Sequence, residues 1–150
     1  MTADDAQPDR DQVGRIADEI GHLFAQTRSM SMRAANEIDP SLQVAGLWVI
    51  RWLGRYGPAT AGAVATGTSM DKSAVSRQLR VLRELGLIES EPHPQDGRSA
   101  RLRLSDDGRA RLAAVGVVTR REFRSRFADW SDADLDTFEH LLGRLTGHDH

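Results

Sequence analysis

Apolar residues recur at helical spacing along most of this chain and alternate strictly in one short stretch. From about Asp11 to Ala35, the series Val13, Ile16, Ala17, Ile20, Leu23 and Phe24 keeps to one face with charges between, which predicts a long amphipathic helix. Asp39 followed by Pro40 reads as an N-cap with proline at the first helical position, where the missing NH costs nothing, so a second helix is expected to run to about Arg55. Val44, Leu47, Ile50 and Leu53 form its inward stripe, flanked by Trp48 and Trp52. Two tryptophans four residues apart favour core or interface packing over the wall of a ligand site. The stretch 57–70, GPATAGAVATGTSM, predicts a short helix capped by Thr60, stopped by Gly67 and followed by a tight turn.

Residues 70 to 89 carry the strongest two-faced pattern. Val75, Leu79, Leu82 and Leu85 fall on one side, while Lys72, Ser73, Ser76, Arg77, Arg80 and Arg83 fall on the other. Asp71 is placed to cap this helix, and Gly86 supplies the permissive backbone that ends it. A charged arc is usually a solvated face, but this one holds four cations to one anion, Glu84, and short hydroxyls in its first turns. Serines let a helix approach closely and can donate to phosphates or base edges, where long acidic side chains would repel them.

Residues 88 to 104 read as strand, turn, strand, with Pro92, Pro94 and Gly97 breaking the middle. Ala100, Leu102 and Leu104 alternate with Arg101 and Arg103, which predicts a hairpin with one buried and one basic face. Arg98 sits at its tip, two residues after Asp96, whose carboxylate can orient the guanidinium. Beyond the hairpin, Ser105 with Asp106 and Asp107 opens a helix running through Leu112, Val115, Val118, Phe123 and Phe127. Ser131 and Asp134 form a box-like cap for a last helix bearing Leu135, Phe138, Leu141, Leu142 and Leu145.

Short helix, turn, basic amphipathic helix and basic hairpin together make a winged helix-turn-helix. The expected fold is therefore mostly α with a small β-wing. A length of 150 residues suits a single domain over about 10–150, behind an acidic, Pro-containing start at 1–9 that is expected to be disordered. The net charge is −2, so any affinity for nucleic acid must be local. From Lys72 to Arg103 the chain carries seven cations and four anions, which leaves −5 on the remainder and would turn the basic module toward DNA.

On these pieces the chain resembles the MarR family of bacterial winged-helix transcriptional regulators. Ser73 to Leu82, the exit Gly86-Leu87-Ile88, Asp96-x-Arg98 in the wing, and Leu104-Ser105 followed by Gly108 carry the resemblance, which extends with the flanking helices over about residues 10 to 146. The chain departs from the family pattern at Val81 and Leu85, usually polar, and at Gln78, usually apolar. The resemblance implies a DNA-binding winged helix at about 40–104 and N- and C-terminal dimerisation helices at about 10–35 and 105–146. It implies a homodimer on a palindromic operator of double-stranded DNA, acting as a repressor. Ser73, Ser76, Arg77 and Arg80 are expected in the major groove, Arg98 in the adjacent minor groove, and Lys72 and Arg101 complete the DNA-binding set. It also implies a small aromatic or phenolic effector, for which His22, Phe24, Met30, Trp48, Trp52 and Tyr56 offer a lining.

The remaining composition narrows the alternatives. No cysteine is present, so neither disulfides nor thiol-based oxidant sensing is available. No phosphate loop, nucleophile elbow or clustered ligand set suggests an enzyme, a cofactor or a metal site; His22, His93 and His140 are isolated, and the tail His148-Asp149-His150 reads as solvent-exposed. No apolar run approaches the roughly 18 residues needed to cross a bilayer, and MTADDAQPDR has neither the basic start nor the apolar core of a signal peptide. A cytoplasmic location is expected. The competing reading is a winged-helix module that binds another protein and not a specific DNA sequence.

Overall fold

The computed structural model describes residues 10–92 and 100–147. Six helices and a two-stranded sheet follow in the order α1 (Arg10–Ile38), α2 (Val44–Tyr56), α3 (Ala61–Thr68), α4 (Lys72–Glu84), β1 (Ile88–Pro92), β2 (Ala100–Leu104), α5 (Asp106–Ser125) and α6 (Asp132–Thr146). They belong to two compact units, Met1–Leu112 and Ala113–His150. No helix among the described residues is long and apolar enough to cross a membrane.

In the first unit α2 is the hub, with α1, α3, α4 and β2 all packed against it. This explains why its buried set is wider than the stripe in the sequence: Val49 is buried along with Leu47, Ile50 and Leu53. The end of α1 joins this core through Ala34, Ala35 and Ile38, while Val13, Ile16, Leu23 and Phe24 nearer its start remain exposed. Arg111 of α5 donates to the carbonyl of Ile38 at 3.1 Å and pairs with Asp107 at 2.9 Å, placing a cation on the negative end of α1.

The expected start of α2 is wrong. Asp39 and Pro40 lie in a turn, where the Asp39 carboxylate accepts from the Ser41 backbone NH at 2.8 Å and from its hydroxyl at 2.5 Å. Those bonds hold the Asp39 carboxyl below its ordinary value, the Ser41 hydroxyl contributing most. An aspartate two residues before a serine can close its own turn as readily as it can cap a helix, and here the turn wins while Leu42 is buried. The helix starts at Val44, behind Gln43, which makes no side-chain cap bond.

Thr60 caps α3 as expected, accepting from Ala63 NH at 3.3 Å. Gly67 does not stop that helix; it lies within it, and Ser69 ends it with φ 54°. Glycine is needed at 67 for space, because a Cβ would lie 2.1 Å from Nε1 of Trp52. Helix α4 follows with Asp71 as its cap and Val75, Leu79 and Leu82 buried. It closes with Gly86 at φ 68°, Gly86 NH donating to Arg83 and Leu87 NH to Leu82. Gln78, polar where the family is apolar, meets Gln43 at 3.4 Å and so joins the start of α2 to the middle of α4.

Strands β1 and β2 are antiparallel, with Ile88 opposite Leu104 and Pro92 opposite Ala100. A third chain segment, which the sequence did not suggest, completes the sheet: Ala59 and Leu102 exchange both backbone hydrogen bonds, at 3.0 and 2.7 Å. At the base of the sheet Ser105 NH donates to the Leu87 carbonyl at 3.0 Å. The Ser105 hydroxyl donates to Gly86 O at 2.6 Å and accepts from Gly108 NH at 2.9 Å. A Cβ on Gly108 would lie 2.1 Å from that same Leu87 carbonyl, which accounts for the Leu-Ser-x-x-Gly sequence in steric terms.

In the second unit α5 ends at Ser125, so Phe127 lies in the following turn and not in the helix as expected. Its ring is the centre of an aromatic cluster, 5.2 Å from Phe123, 5.2 Å from Trp130 and 6.3 Å from Phe138. Ser131 and Asp134 form the reciprocal cap of α6. Val117, Val118, Phe123, Leu141, Leu142 and Leu145 are exposed.

Replacing Gly108 by alanine is expected to destabilise the protein by about 1–3 kcal/mol through overpacking against backbone. Gly14→Ala, at a helical position with nothing within 4 Å, should instead stabilise by no more than about 1 kcal/mol. Denaturant unfolding of the two variants against wild type measures both signs.

Candidate nucleic-acid interface

The candidate surface is built on the outer side of α4. The inner side chains Val75, Leu79 and Leu82 anchor the helix, and this leaves Lys72, Ser73, Ser76, Arg77 and Arg80 exposed together on the other face. Arg80 stands 4.0 Å from Glu84 across one helical turn, a solvent-exposed pairing worth little. Ser76 and Lys72 also line a shallow groove of about 390 Å³ with Arg83 and the small residues Ala61 and Gly62 of α3. Arg83 donates from Nε to the Ser90 hydroxyl at 3.4 Å, which ties the helix to β1.

The first turn is held by Asp71. Its Oδ1 accepts from Ala74 NH at 2.8 Å and from the Ser73 hydroxyl at 2.5 Å. These bonds, the Ser73 hydroxyl first and the backbone of Ala74 next, together with the nearby Arg77 charge, hold the Asp71 carboxyl below its ordinary value. Ser73 is therefore on the expected face, but its hydroxyl hydrogen is already engaged.

The hairpin differs from the basic face expected of it. Arg103 lies between Glu89, at 2.5 Å, and Glu91, at 3.5 Å, so its charge is met within the sheet. Arg101 donates to the Pro58 carbonyl at 2.6 Å and fastens the wing to the segment leading into α3. Like charges alternating with apolar residues suggest a basic face only while the partner strand is ignored, and β1 supplies the two glutamates. Arg98, Asp96 and His93 lie outside the described residues, as do His148, Asp149 and His150.

A second feature lies between α1 and α2. An open cavity of about 1230 Å³ is lined by Phe24, Ser31, Met32, Trp48 and Arg51 among others. Of the six residues expected to line an effector site, Phe24 and Trp48 are there. His22 is exposed and 3.9 Å from Glu19, the Trp52 and Tyr56 rings meet at a tilt of 41° with centroids 5.1 Å apart, and Met30 is not in the wall. The two tryptophans thus divide: Trp52 packs on α3 at Gly67, and Trp48 faces the cavity. Arg51 was missed, although its place three residues after Trp48 puts it on the same face. Its guanidinium is half-buried, burial lowers its pKa, and it has no ion-pair partner among the described residues.

Comparison with known proteins gives these surfaces a context. A family model described as MarR family matches residues 42–99. The HTH-type transcriptional repressor IacR of Pseudomonas putida is 24% identical over 96 residues, 63% of this chain and 58% of its own length, so the chain spans little more than half of that relative. A solved "probable transcriptional regulator" from Pseudomonas aeruginosa is 30% identical, with 87% of this chain and 98% of that one aligned and a TM-score of 0.58. The crystal structure of a MarR family transcription regulator superposes with a TM-score of 0.82 over 91% of this chain and 89% of its own, at 21% identity.

The cap at Asp71 has a testable pH dependence. Because its folded-state pKa is depressed below that of an ordinary aspartate, its contribution to stability is complete above the ordinary value and is lost as pH falls through the lowered one. The stability difference between wild type and Asp71→Ala should accordingly be constant from neutral pH down to the carboxylate range and shrink below it, as read by urea unfolding at a series of pH values.

Proposed function

The chain belongs to the MarR family of DNA-binding transcriptional regulators, and from that premise we propose that it is a repressor that binds a palindromic operator as a homodimer. The observation that carries this reading is the outer face of α4, where Lys72, Ser76, Arg77 and Arg80 are exposed on a helix fixed at both ends. Ser76, Arg77 and Arg80 enter the major groove, Lys72 contacts phosphate, and Arg98 reaches the neighbouring minor groove, where narrow A·T segments attract guanidinium. Ser73 contributes lone pairs, and Arg101 acts by holding the wing. The likeness to a protein named as a repressor supports the direction of control.

The dimer is supported by apolar side chains that a monomer leaves in water: Val13, Ile16 and Phe24 on α1, Val117 and Val118 on α5, Leu141 and Leu145 on α6. Two copies related by a two-fold axis would place their α4 helices about one duplex turn apart, roughly 34 Å, matching a palindrome. The effector site proposed is the cavity between α1 and α2, where Phe24 and Trp48 offer aromatic faces and the half-buried Arg51 favours an anionic head group. An effector that prefers one spacing of the two α4 helices about tenfold supplies about 1.4 kcal/mol per site toward release.

Selection of binding sites from random duplexes, read by mobility shift, tests DNA binding and palindromy together. Arg77→Ala should change base preference within the half-site, while Arg98→Ala should weaken sites with A·T-rich flanks most. Equal losses on every sequence, random DNA included, would rule out specific readout by these two residues and favour the protein-binding alternative. For the effector, aromatic carboxylates should quench tryptophan emission in wild type and not in Trp48→Phe, since Trp52 is committed to Gly67. Quenching that leaves operator affinity unchanged would mean a binding site that is not a switch.

A further inference from the structure

The wall of the cavity between α1 and α2 carries more positive charge than one carboxylate answers. Arg28 of α1 and Arg51 of α2 both line it, and the wall holds no carboxylate and no histidine. Neither arginine has an ion-pair partner among the described residues. Arg51 is half-buried, where an unmatched cation is unfavourable and an anion beside it relieves the penalty. A ligand that meets both charges is held from two helices at once.

Ser31 points to a ligand independently of these charges. It follows Arg28 by three residues, on the same side of α1, and is only 8% exposed, yet its hydroxyl makes no hydrogen bond among the described residues. No buried side-chain oxygen among those residues is sealed off without a partner, so the Ser31 hydroxyl is reached through the cavity it lines. Thr27, one turn earlier in the same wall, takes the other course and donates to the Leu23 carbonyl at 2.8 Å, which commits its hydrogen within the helix. Ser31 leaves its hydrogen available to an occupant.

These three groups define the head of the ligand. A carboxylate brings one negative charge and two oxygens, whereas a phosphate monoester brings a charge of about −1.5 to −2 at pH 7 and three acceptor oxygens, enough for both guanidinium groups and the hydroxyl. The exposed faces of Phe24 and Trp48 suit an apolar aromatic body. At about 1230 Å³ the cavity exceeds the roughly 300–1,000 Å³ of common small-molecule sites, so a head group and more than one ring fit together. We propose that the cavity takes an aromatic phosphate monoester, with Arg28, Arg51 and Ser31 holding the phosphate and Phe24 and Trp48 the rings. This rests on the effector reading above and narrows it, because a monocarboxylate leaves one of the two cations unmatched.

The experiment is calorimetric titration of the full chain with 1-naphthol, 1-naphthoate and 1-naphthyl phosphate, which share a ring system and differ in the head group. At pH 8 the phosphate should bind about tenfold tighter than the carboxylate, and the naphthol weakest. At pH 5, where the phosphate has lost its second charge, that gap should largely close; the wall holds no group that titrates in this range, so the change belongs to the ligand. Arg28→Gln, at an exposed position, and Ser31→Ala should each weaken the phosphate about fivefold and leave 1-naphthol unchanged. Equal affinities for carboxylate and phosphate, or variants that bind the phosphate as wild type does, would overturn the phosphate assignment and leave the effector reading standing. Inorganic phosphate binding as tightly as the ester would overturn it too, since the rings would then contribute nothing. If none of the three naphthyl compounds binds, the cavity is no effector site and both readings fall.

Discussion

One backbone carbonyl, that of Leu87, holds the winged unit together. It accepts from Ser105 NH at 3.0 Å, and Gly108 passes so close that a Cβ there would lie 2.1 Å away. Around it the Ser105 side chain spans Gly86 O and Gly108 NH. The end of α4, the base of both strands and the start of α5 are thereby fixed at one point. A buried serine that both donates and accepts is stable because each half of its hydroxyl is met, and the chain segments on either side inherit its position. The direction in which α4 presents its outer face therefore depends on contacts made at its far end.

Charge is distributed to serve the same geometry. Arg103, Arg101 and Arg111 are each spent inside the first unit, on two glutamates, on the Pro58 carbonyl, and on the Ile38 carbonyl with Asp107. Lys72, Arg77 and Arg80 on α4 remain exposed. A count of cations from the sequence cannot tell these two groups apart, because the difference lies in which carbonyl or carboxylate the fold brings within reach.

That distinction marks how far the sequence could be read. The elements were legible where one helix or strand carries its own signal: the stripe of Val75, Leu79 and Leu82, the caps Thr60, Asp71, Ser105 and Ser131, and the alternation of Leu102 and Leu104 all appear as expected. What failed needed a neighbour. Asp39 closes a turn because Ser41 competes for its carboxylate, and Gly67 answers to a tryptophan fifteen residues earlier. The third strand contact at Ala59 has a single pair of hydrogen bonds and no alternating pattern to announce it. Of the aromatic residues grouped by type, only Phe24 and Trp48 border the cavity between α1 and α2; helical spacing from Trp48 points to Arg51 and to Trp52 alike, and it is the contact with Gly67 on α3 that takes Trp52 away.

Helix α2 touches nearly everything in its unit, and its faces are assigned to different neighbours. Trp48 and Arg51 border the cavity, Trp52 presses on α3, and Leu47, Ile50 and Leu53 lie in the core. In mechanical terms it is a stiff rod about 20 Å long, and a tilt of about 5° around one end carries the other by about 1.7 Å. Helices α3 and α4 and strand β2 are all seated on that rod, so such a tilt at Trp48 would reach the helix that carries Lys72, Arg77 and Arg80.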